Sequence, residues 1–113
     1  MEPRFQLVVA GVGGQGILFA TRLLEEAALA RGLPVLGAET HGMSQRGGSV
    51  LSHFKVGPFR SPMVRRGTAD CLLGMELTEA YRNAAYLRPG GLAILNCLPD
   101  AIEGSAVIGN SWK

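Results

Sequence analysis

The chain has 113 residues, of which 47% are hydrophobic and 18% are charged, and its formal net charge at pH 7 is +2. These values suit one globular domain with a real core. The net charge is too small to indicate binding to nucleic acid or to an anionic membrane, and no apolar stretch is long enough to cross a bilayer. Because the first residues also lack the pattern of a signal peptide, we expect a cytoplasmic protein.

The first predicted unit is a strand at residues 5–10, the glycine turn Gly11-Val12-Gly13-Gly14-Gln15-Gly16, and an amphipathic helix at residues 17–31 whose apolar stripe includes Leu23. This order is typical of dinucleotide-binding folds, in which the turn and the helix N-terminus bind phosphate. The candidate ligand or phosphate contacts are Gly11, Gly13, Gly14, Gln15 and Gly16. Close packing of the helix on the strand is the alternative explanation for these glycines. We expect Gly13→Val to damage the turn, by blocking close approach and by resisting a positive φ.

A short second strand is predicted at residues 35–38, and it ends at Glu39. An acidic residue at this place holds the ribose hydroxyls in Rossmann proteins. The polar, glycine-rich segment at residues 40–49 is too long for a simple turn, and it lies where open α/β sheets bind ligands. Its candidate contacts to an active-site edge or to a partner subunit are His41, Ser44, Gln45 and Arg46. A solvated connection is the alternative explanation of this segment.

An alternating segment at residues 50–56 predicts a half-exposed strand, either antiparallel or at an edge of the sheet. His53 is then expected to point away from the sheet and to have no functional role. Arg65 and Arg66, in the loop that follows, suit an anion, but two adjacent arginines usually belong to a solvated face.

The second predicted unit is a buried strand at residues 70–74, a helix at 76–87 with Tyr81 on its apolar face, a helix stop at 88–91 and a strand at 92–96. A right-handed crossover would place it in the same parallel sheet as the first unit. Beyond residue 96 the periodicity fades. We therefore predict a Rossmann-like α/β fold with a mostly parallel sheet and helices on both faces.

Two stretches taken together, residues 11–16 and the run Glu39-Thr40-His41-Gly42-Met43-Ser44-Gln45-Arg46-Gly47-Gly48-Ser49-Val50, resemble a known family. They are similar to the gamma-type subunit (pyruvate/ketoisovalerate oxidoreductase domain) of 2-oxoacid:ferredoxin oxidoreductases. The resemblance is strongest to the small (beta) subunit of indolepyruvate ferredoxin oxidoreductase, and it covers residues 5–96. Residues 1–113 are then expected to form a single, partial domain of this type. Such domains continue further, so a C-terminal portion of the fold is expected to be missing.

The resemblance implies a role in the oxidative decarboxylation of a 2-oxoacid to an acyl-CoA, with electrons passed to ferredoxin. In the family, thiamine diphosphate, magnesium and the iron–sulfur clusters belong mainly to partner subunits, and CoA is a co-substrate. The sequence agrees, because Cys71 and Cys97 lack cluster spacing and suit buried, reduced thiols. The chain is therefore expected to hold no cofactor or metal, to be inactive alone, and to work beside a thiamine-diphosphate-binding partner.

Three other interpretations of the sequence stay open. A free-standing dinucleotide-binding module would use Gly11, Gly13, Gly16 and Glu39, but it leaves the polar segment unexplained. A methyltransferase-like fold depends only on the helix and on residues 87–92. A structural interaction subunit would place the polar segment against a partner without any role at the active site.

Overall fold

The computed structural model describes residues 3–13, 16–41, 48–96 and 105–108. The elements in chain order are β1 (Phe5–Val12), α1 (Ile17–Ala30), β2 (Val35–His41), β3 (Ser49–Val56), β4 (Ala69–Gly74), α2 (Leu77–Arg82), a 3-10 helix (Ala84–Tyr86), β5 (Leu87–Asn96) and β6 (Ser105–Ile108). In these residues six strands form one sheet in the order β2-β3-β1-β4-β5-β6. Strands β1, β2, β4 and β5 share one direction, whereas β3 and β6 run against them. The predicted α/β class with a mostly parallel sheet is confirmed.

Each face of the sheet buries its own apolar layer. The layer under α1 contains Leu7, Val9, Ile17, Ala28, Val50, Phe54, Val56 and Cys71. The layer on the side of α2 contains Val8, Ala10, Val64, Ala69, Leu72, Ala80, Ala93 and Leu95. Successive residues of β1 enter opposite layers because side chains alternate across a strand. Burial on both faces thus explains the continuous apolar run of β1, and the prediction of helices on both faces is confirmed.

Strand β3 is more buried than predicted. It pairs antiparallel with both β1 and β2, so the edge of the sheet belongs to β2. The antiparallel direction agrees with the prediction, but the half-exposed character is wrong. His53 is 1% exposed; its Nδ1 accepts a hydrogen bond of 3.1 Å from the Val64 N–H, and its ring lies edge-on to Tyr86. The alternation of polar and apolar residues in β3 predicted exposure of His53, but the connection after β3 folds back over the face on which His53 lies. A sequence period does not reveal such a connection.

The second helix is shorter than predicted. Its α-helical part is Leu77–Arg82, and it continues only as the 3-10 turn Ala84–Tyr86. The Asn83 side chain ends the helix by donating a hydrogen bond of 2.8 Å to the Glu79 carbonyl. Strand β5 already begins at Leu87, so the residues predicted as a helix stop, 88–91, belong to the strand. Tyr81, assigned to the apolar face, is 67% exposed.

Helix α1 has nearly its predicted bounds but contacts the sheet along a narrow strip. Its buried residues are Ile17, Thr21 and Ala28. Leu23, which the periodicity assigned to the buried face, is 52% exposed, and Phe19 is 68% exposed. Among the described residues, no helix has the length and apolar character that a membrane span requires.

Two strand bounds also differ from prediction. Strand β2 continues past Glu39 to His41, because its hydrogen-bonded pairing with β3 extends to the end of the described segment. Strand β6 pairs antiparallel with β5 in a region where no element was predicted. Its four residues, Ser105–Ile108, are too few to give a periodic signal.

Candidate functional site at the carboxyl edge of the sheet

The two motif stretches meet at the carboxyl edge of the parallel strands. Val12, at the end of β1, lies opposite Ser49, at the start of β3. The Gly13 N–H donates a hydrogen bond of 3.0 Å to the Gly48 carbonyl. His41 is the last residue of β2, which pairs with the same strand. The glycine turn and the polar segment therefore lie side by side, at the edge where open α/β sheets bind ligands.

The described part of the glycine turn contains three of the candidate glycines. Gly11 lies within β1, Gly13 lies in the turn, and Gly16 directly precedes α1. Gly16 has a φ of 80°, a left-handed conformation that favours glycine, but Gly13 has no positive φ. A Cβ added at Gly13 would meet its nearest neighbour, the Gly48 carbonyl oxygen, at 4.0 Å. The positive-φ reason given for a damaging Gly13→Val change is therefore wrong, and that conformational requirement belongs to Gly16. The other reason, blocked approach of a ligand to the turn, stays a prediction.

Several candidates fall outside the described residues. They are Gly14 and Gln15 of the glycine turn, and Ser44, Gln45 and Arg46 of the polar segment. The backbone of His41 is described and its side chain is not. The roles assigned to these side chains stay predictions.

A cleft of about 290 Å³ opens beside the start of α1, between Gly13, Gly16 and Ile17 on one side and Glu39 on the other. Helix α1 begins without a side-chain cap and has no acidic residue in its first turn. Helix N-termini of this kind bind anions through their free N–H groups. The Glu39 carboxylate adds an acceptor for hydroxyl groups. The cleft thus combines the two kinds of contact that a ligand with both phosphate and hydroxyl groups requires, although its volume is at the small end of ligand pockets, about 300–1,000 Å³.

Glu39 also lines a smaller cleft of about 210 Å³, together with Thr21, Arg22 and Glu25 of α1 and Ser52 of β3. The two clefts share Leu18 and Glu39, so they form one groove between α1 and the outer strands. The groove exists because α1 packs on the sheet only along its narrow buried strip.

On the other face, α2 is tied to the base of the polar segment. Glu79 is 6% exposed, and its carboxylate accepts hydrogen bonds from the Ser49 hydroxyl at 3.0 Å and from Arg82 at 3.2 Å. The Glu76 carboxylate caps α2 by accepting the Glu79 N–H at 2.9 Å. Beside this network lies a cleft of about 270 Å³, lined in part by Thr40, Ser49, Glu79, Arg82 and Asn83.

Sequence reasoning missed this network. Glu76 and Glu79 show the i, i+3 spacing of a helix cap, which gives a local signal for the start of α2. The Ser49–Glu79 hydrogen bond joins residues that are 30 positions apart, and no pattern within one sequence connects them.

Two further buried titratable groups, His53 and Cys71, lie outside this network. Burial lowers the pKa of His53, and the Lys55 ammonium lowers it further. Burial raises the pKa of the Cys71 thiol, with a smaller contribution from Asp70. Cys71 is a free, buried cysteine, as predicted, whereas Cys97 lies outside the described residues. Within the described ranges, no group of three or more His, Cys, Asp or Glu side chains is arranged to hold a metal ion.

Comparison with known proteins identifies the family of the chain that carries these two motif stretches. A family model described as pyruvate ferredoxin/flavodoxin oxidoreductase matches residues 6–109. The chain belongs to this family. The predicted relationship to 2-oxoacid:ferredoxin oxidoreductases is therefore confirmed.

The chain spans about half the length of the curated relatives that it matches. It is 47% identical over 93 residues to the indolepyruvate oxidoreductase subunit IorB of Archaeoglobus fulgidus, covering 82% of this chain and 46% of that protein. In structure it is similar to the pyruvate oxidoreductase subunit PORC of Thermotoga maritima, with a TM-score of 0.69 and 22% identity over 87% of this chain and 52% of that one. A keto/oxoacid ferredoxin oxidoreductase gamma subunit from Geobacter sulfurreducens gives a TM-score of 0.65 and 25% identity, over 85% and 56% of the two chains.

Proposed function

We propose that this chain is a gamma-type subunit of a thiamine-diphosphate-dependent 2-oxoacid:ferredoxin oxidoreductase of the indolepyruvate or pyruvate type. The proposed reaction is the oxidative decarboxylation of a 2-oxoacid to an acyl-CoA, with electrons passed to ferredoxin. The observation that carries the proposal is the meeting of the glycine turn and the polar segment at one edge, joined by the Gly13–Gly48 hydrogen bond. The family match over residues 6–109 supports the choice of this reaction class.

In this proposal the chain carries no cofactor, and the carboxyl edge faces a cytoplasmic partner subunit. That partner holds thiamine diphosphate, magnesium and the iron–sulfur clusters. The uncapped start of α1 offers N–H groups to a phosphate of CoA, while Glu39 accepts a hydrogen bond from a hydroxyl group in the same cleft. Arg46 supplies a planar cation to the shared boundary, and Ser44 and Gln45 orient polar groups there.

Reconstitution of the complex tests the proposal. The purified chain alone should not reduce a viologen dye with a 2-oxoacid and CoA, and it should contain neither iron nor thiamine diphosphate. Adding it to the thiamine-diphosphate-binding subunit should give 2-oxoacid-dependent and CoA-dependent dye reduction. Stoichiometric iron in the isolated chain, or full turnover by the partner alone, would contradict the proposal.

A free-standing dinucleotide-binding module is the second candidate, since Glu39 shares one cleft with Gly13 and Gly16. Calorimetric titration of the chain with NADH and with CoA separates the two functions. A dinucleotide module should bind NADH, and Glu39→Gln should weaken that binding while leaving the fold intact. Binding of CoA without binding of NADH favours the oxidoreductase subunit.

A further inference from the structure

The small net charge of the chain conceals a concentration of positive charge at one edge of the sheet. Five cationic residues lie where β1 begins and β3 ends, or in the connection that leaves β3 there. They are Arg4, Lys55, Arg60, Arg65 and Arg66, which we call the basic edge. At the opposite, carboxyl edge, the described carboxylates Glu39 and Glu76 lie beside the ion pair of Glu79 with Arg82, so charges of both signs are present there. The concentration of positive charge is therefore a property of the basic edge.

A described carboxylate at the same edge of the sheet, that of Asp70, is already engaged. Asp70, at the start of β4, accepts a hydrogen bond of 2.8 Å from Arg88 and another of 2.8 Å from the Gln6 N–H. Arg88 is for this reason left out of the basic edge. Among the residues that the structure describes, none of the five basic-edge cations forms an ion pair with a carboxylate.

The centre of the basic edge is built around one aromatic ring. The Lys55 Nζ lies 4.8 Å from the centroid of Phe59, and the Arg4 guanidinium carbon lies 5.1 Å from the same centroid. Lys55 is 7% exposed, and burial together with the Arg65 charge lowers its pKa. Like charges held this close repel one another, and contact with a ring face offsets part of that repulsion. An external anion would offset more of it.

The rim of the basic edge has the composition of a protein interface. Arg60 and Arg65 are exposed, and the Arg66 guanidinium carbon lies 5.5 Å from the Tyr86 centroid. Met63, in the same connection, is 42% exposed. Arginine, methionine and aromatic residues are enriched at protein interfaces, and a guanidinium pairs with a carboxylate through two parallel hydrogen bonds.

We propose that the basic edge binds an acidic protein surface that is rich in Asp and Glu carboxylates. The basic edge and the candidate functional site lie at opposite edges of the sheet. Nucleic acid is disfavoured because the Phe59 ring is covered by cations and is not free to stack on a base. The inference does not depend on the proposed oxidoreductase function.

The test measures binding of a fluorescein-labelled poly-Glu peptide to the full chain by fluorescence anisotropy, at low and at high salt. A labelled DNA duplex of equal charge is titrated in parallel. We expect the peptide to bind at low salt and to be released by salt. Arg65→Glu and Arg60→Glu should each weaken peptide binding by about tenfold, since each replaces an attraction by a repulsion. Arg22→Glu, an equal charge change on exposed α1, should weaken it by less than about twofold.

Circular dichroism checks that the variants keep the fold. We expect them to keep it, because both rim arginines are exposed. Arg65→Lys, which keeps the charge but removes the planar fork, should bind with intermediate affinity. An equal loss in Arg22→Glu would show that only the overall charge matters, and it would overturn the proposal. Tighter binding of the duplex than of the peptide would assign the edge to nucleic acid, and absence of salt-dependent peptide binding would also overturn the proposal.

Discussion

The two strand–turn–helix units of this fold differ in how the helix begins and in how closely it packs on the sheet. In the first unit, Gly16 leads into α1 without a side-chain cap, and the helix contacts the sheet along a narrow strip beside an open groove. In the second unit, Glu76 caps α2, and Gly74 brings the strand so close that an added Cβ would lie 2.6 Å from the Ala80 Cβ. The first unit leaves its helix terminus without a side-chain cap, whereas the second fills the same position with its own carboxylate.

The two units therefore differ in what they contribute to the domain, one to its stability and the other to an open groove. Close packing of α2 fixes one face of the sheet and the base of the polar segment. Looser packing of α1 leaves space for a ligand on the other face. Substitutions in the second unit should consequently cost stability, and substitutions around the first unit and its loop should instead affect binding.

The largest loss of stability is expected for Gly74→Ala. Its Cβ would collide with Ala80 and would lie 3.0 Å from the Leu95 Cδ2, so we expect a loss of about 1–3 kcal/mol from overpacking. Gly13→Ala is the matched control, since its Cβ meets its nearest neighbour at 4.0 Å. Urea unfolding followed by circular dichroism measures both variants. Equal losses would show that the two turns are packed alike, and the comparison would be wrong.

A double-mutant cycle sharpens the comparison by testing how α2 holds the polar segment. Ser49→Ala removes the donor of one partly buried hydrogen bond, and Glu79→Gln removes the charge of its acceptor, so each should cost about 1 kcal/mol. Their combined loss should be smaller than the sum of the single losses, by about 0.5 kcal/mol or more. Ser49→Ala combined with Glu25→Gln, on the opposite face, should be additive. Additivity in both pairs would mean that the Ser49–Glu79 bond contributes nothing to stability.

The sequence predicted those features whose signals are local. The glycine turn, the order of β1, α1, β2, β4 and β5, and the family all followed from short stretches and their spacing. Features that depend on distant residues were missed. The burial of His53 depends on Val64 and Tyr86 in a later part of the chain, and the Glu79 carboxylate finds Ser49 across the sheet. Helical periodicity likewise assigned Leu23 to a buried face, because a period does not report how much of a helix the sheet covers.

His53 provides a pH test of the face that α2 covers. Its pKa is lowered in the folded state by burial and then by Lys55, so the folded state favours the neutral ring. The resulting stability is complete above the unfolded pKa of about 6.5 and is lost as the pH falls through the folded value. Urea midpoints should therefore decrease below about pH 6.5. His53→Asn keeps an acceptor for the Val64 N–H but does not titrate, so it should flatten this decrease.

His41→Asn is the control for that experiment, because it removes the other histidine of the chain at the carboxyl edge. It should leave the acid limb of the stability curve unchanged. A stability curve that becomes flat in His41→Asn and not in His53→Asn would assign the acid sensitivity to the carboxyl edge, and the prediction for His53 would be wrong.

The smallest change in stability is expected for Arg46→Ala in the polar segment. An exposed substitution changes the free energy of unfolding by no more than about 0.5 kcal/mol. Subunit affinity and turnover of the reconstituted complex should nevertheless fall, by about 2–5 kcal/mol in binding free energy if Arg46 is buried at the boundary. Arg31→Ala, beyond the end of α1, should alter neither quantity. A variant that melts much lower without losing affinity would make Arg46 a structural residue.

The position of β3 between β1 and β2 determines when this domain can begin to fold during synthesis. The first unit contains no strand pairing of its own, because β1 pairs with residues 49–56 and 71–74, and β2 also pairs with β3. The glycine turn and α1 therefore leave the ribosome long before β1 meets a partner. Pairings between strands so far apart in sequence delay folding, since each must close a long loop first. During that interval the apolar run of β1 has no strand partner, so the central strand of the sheet stays unpaired until residues 49–56 have been synthesised.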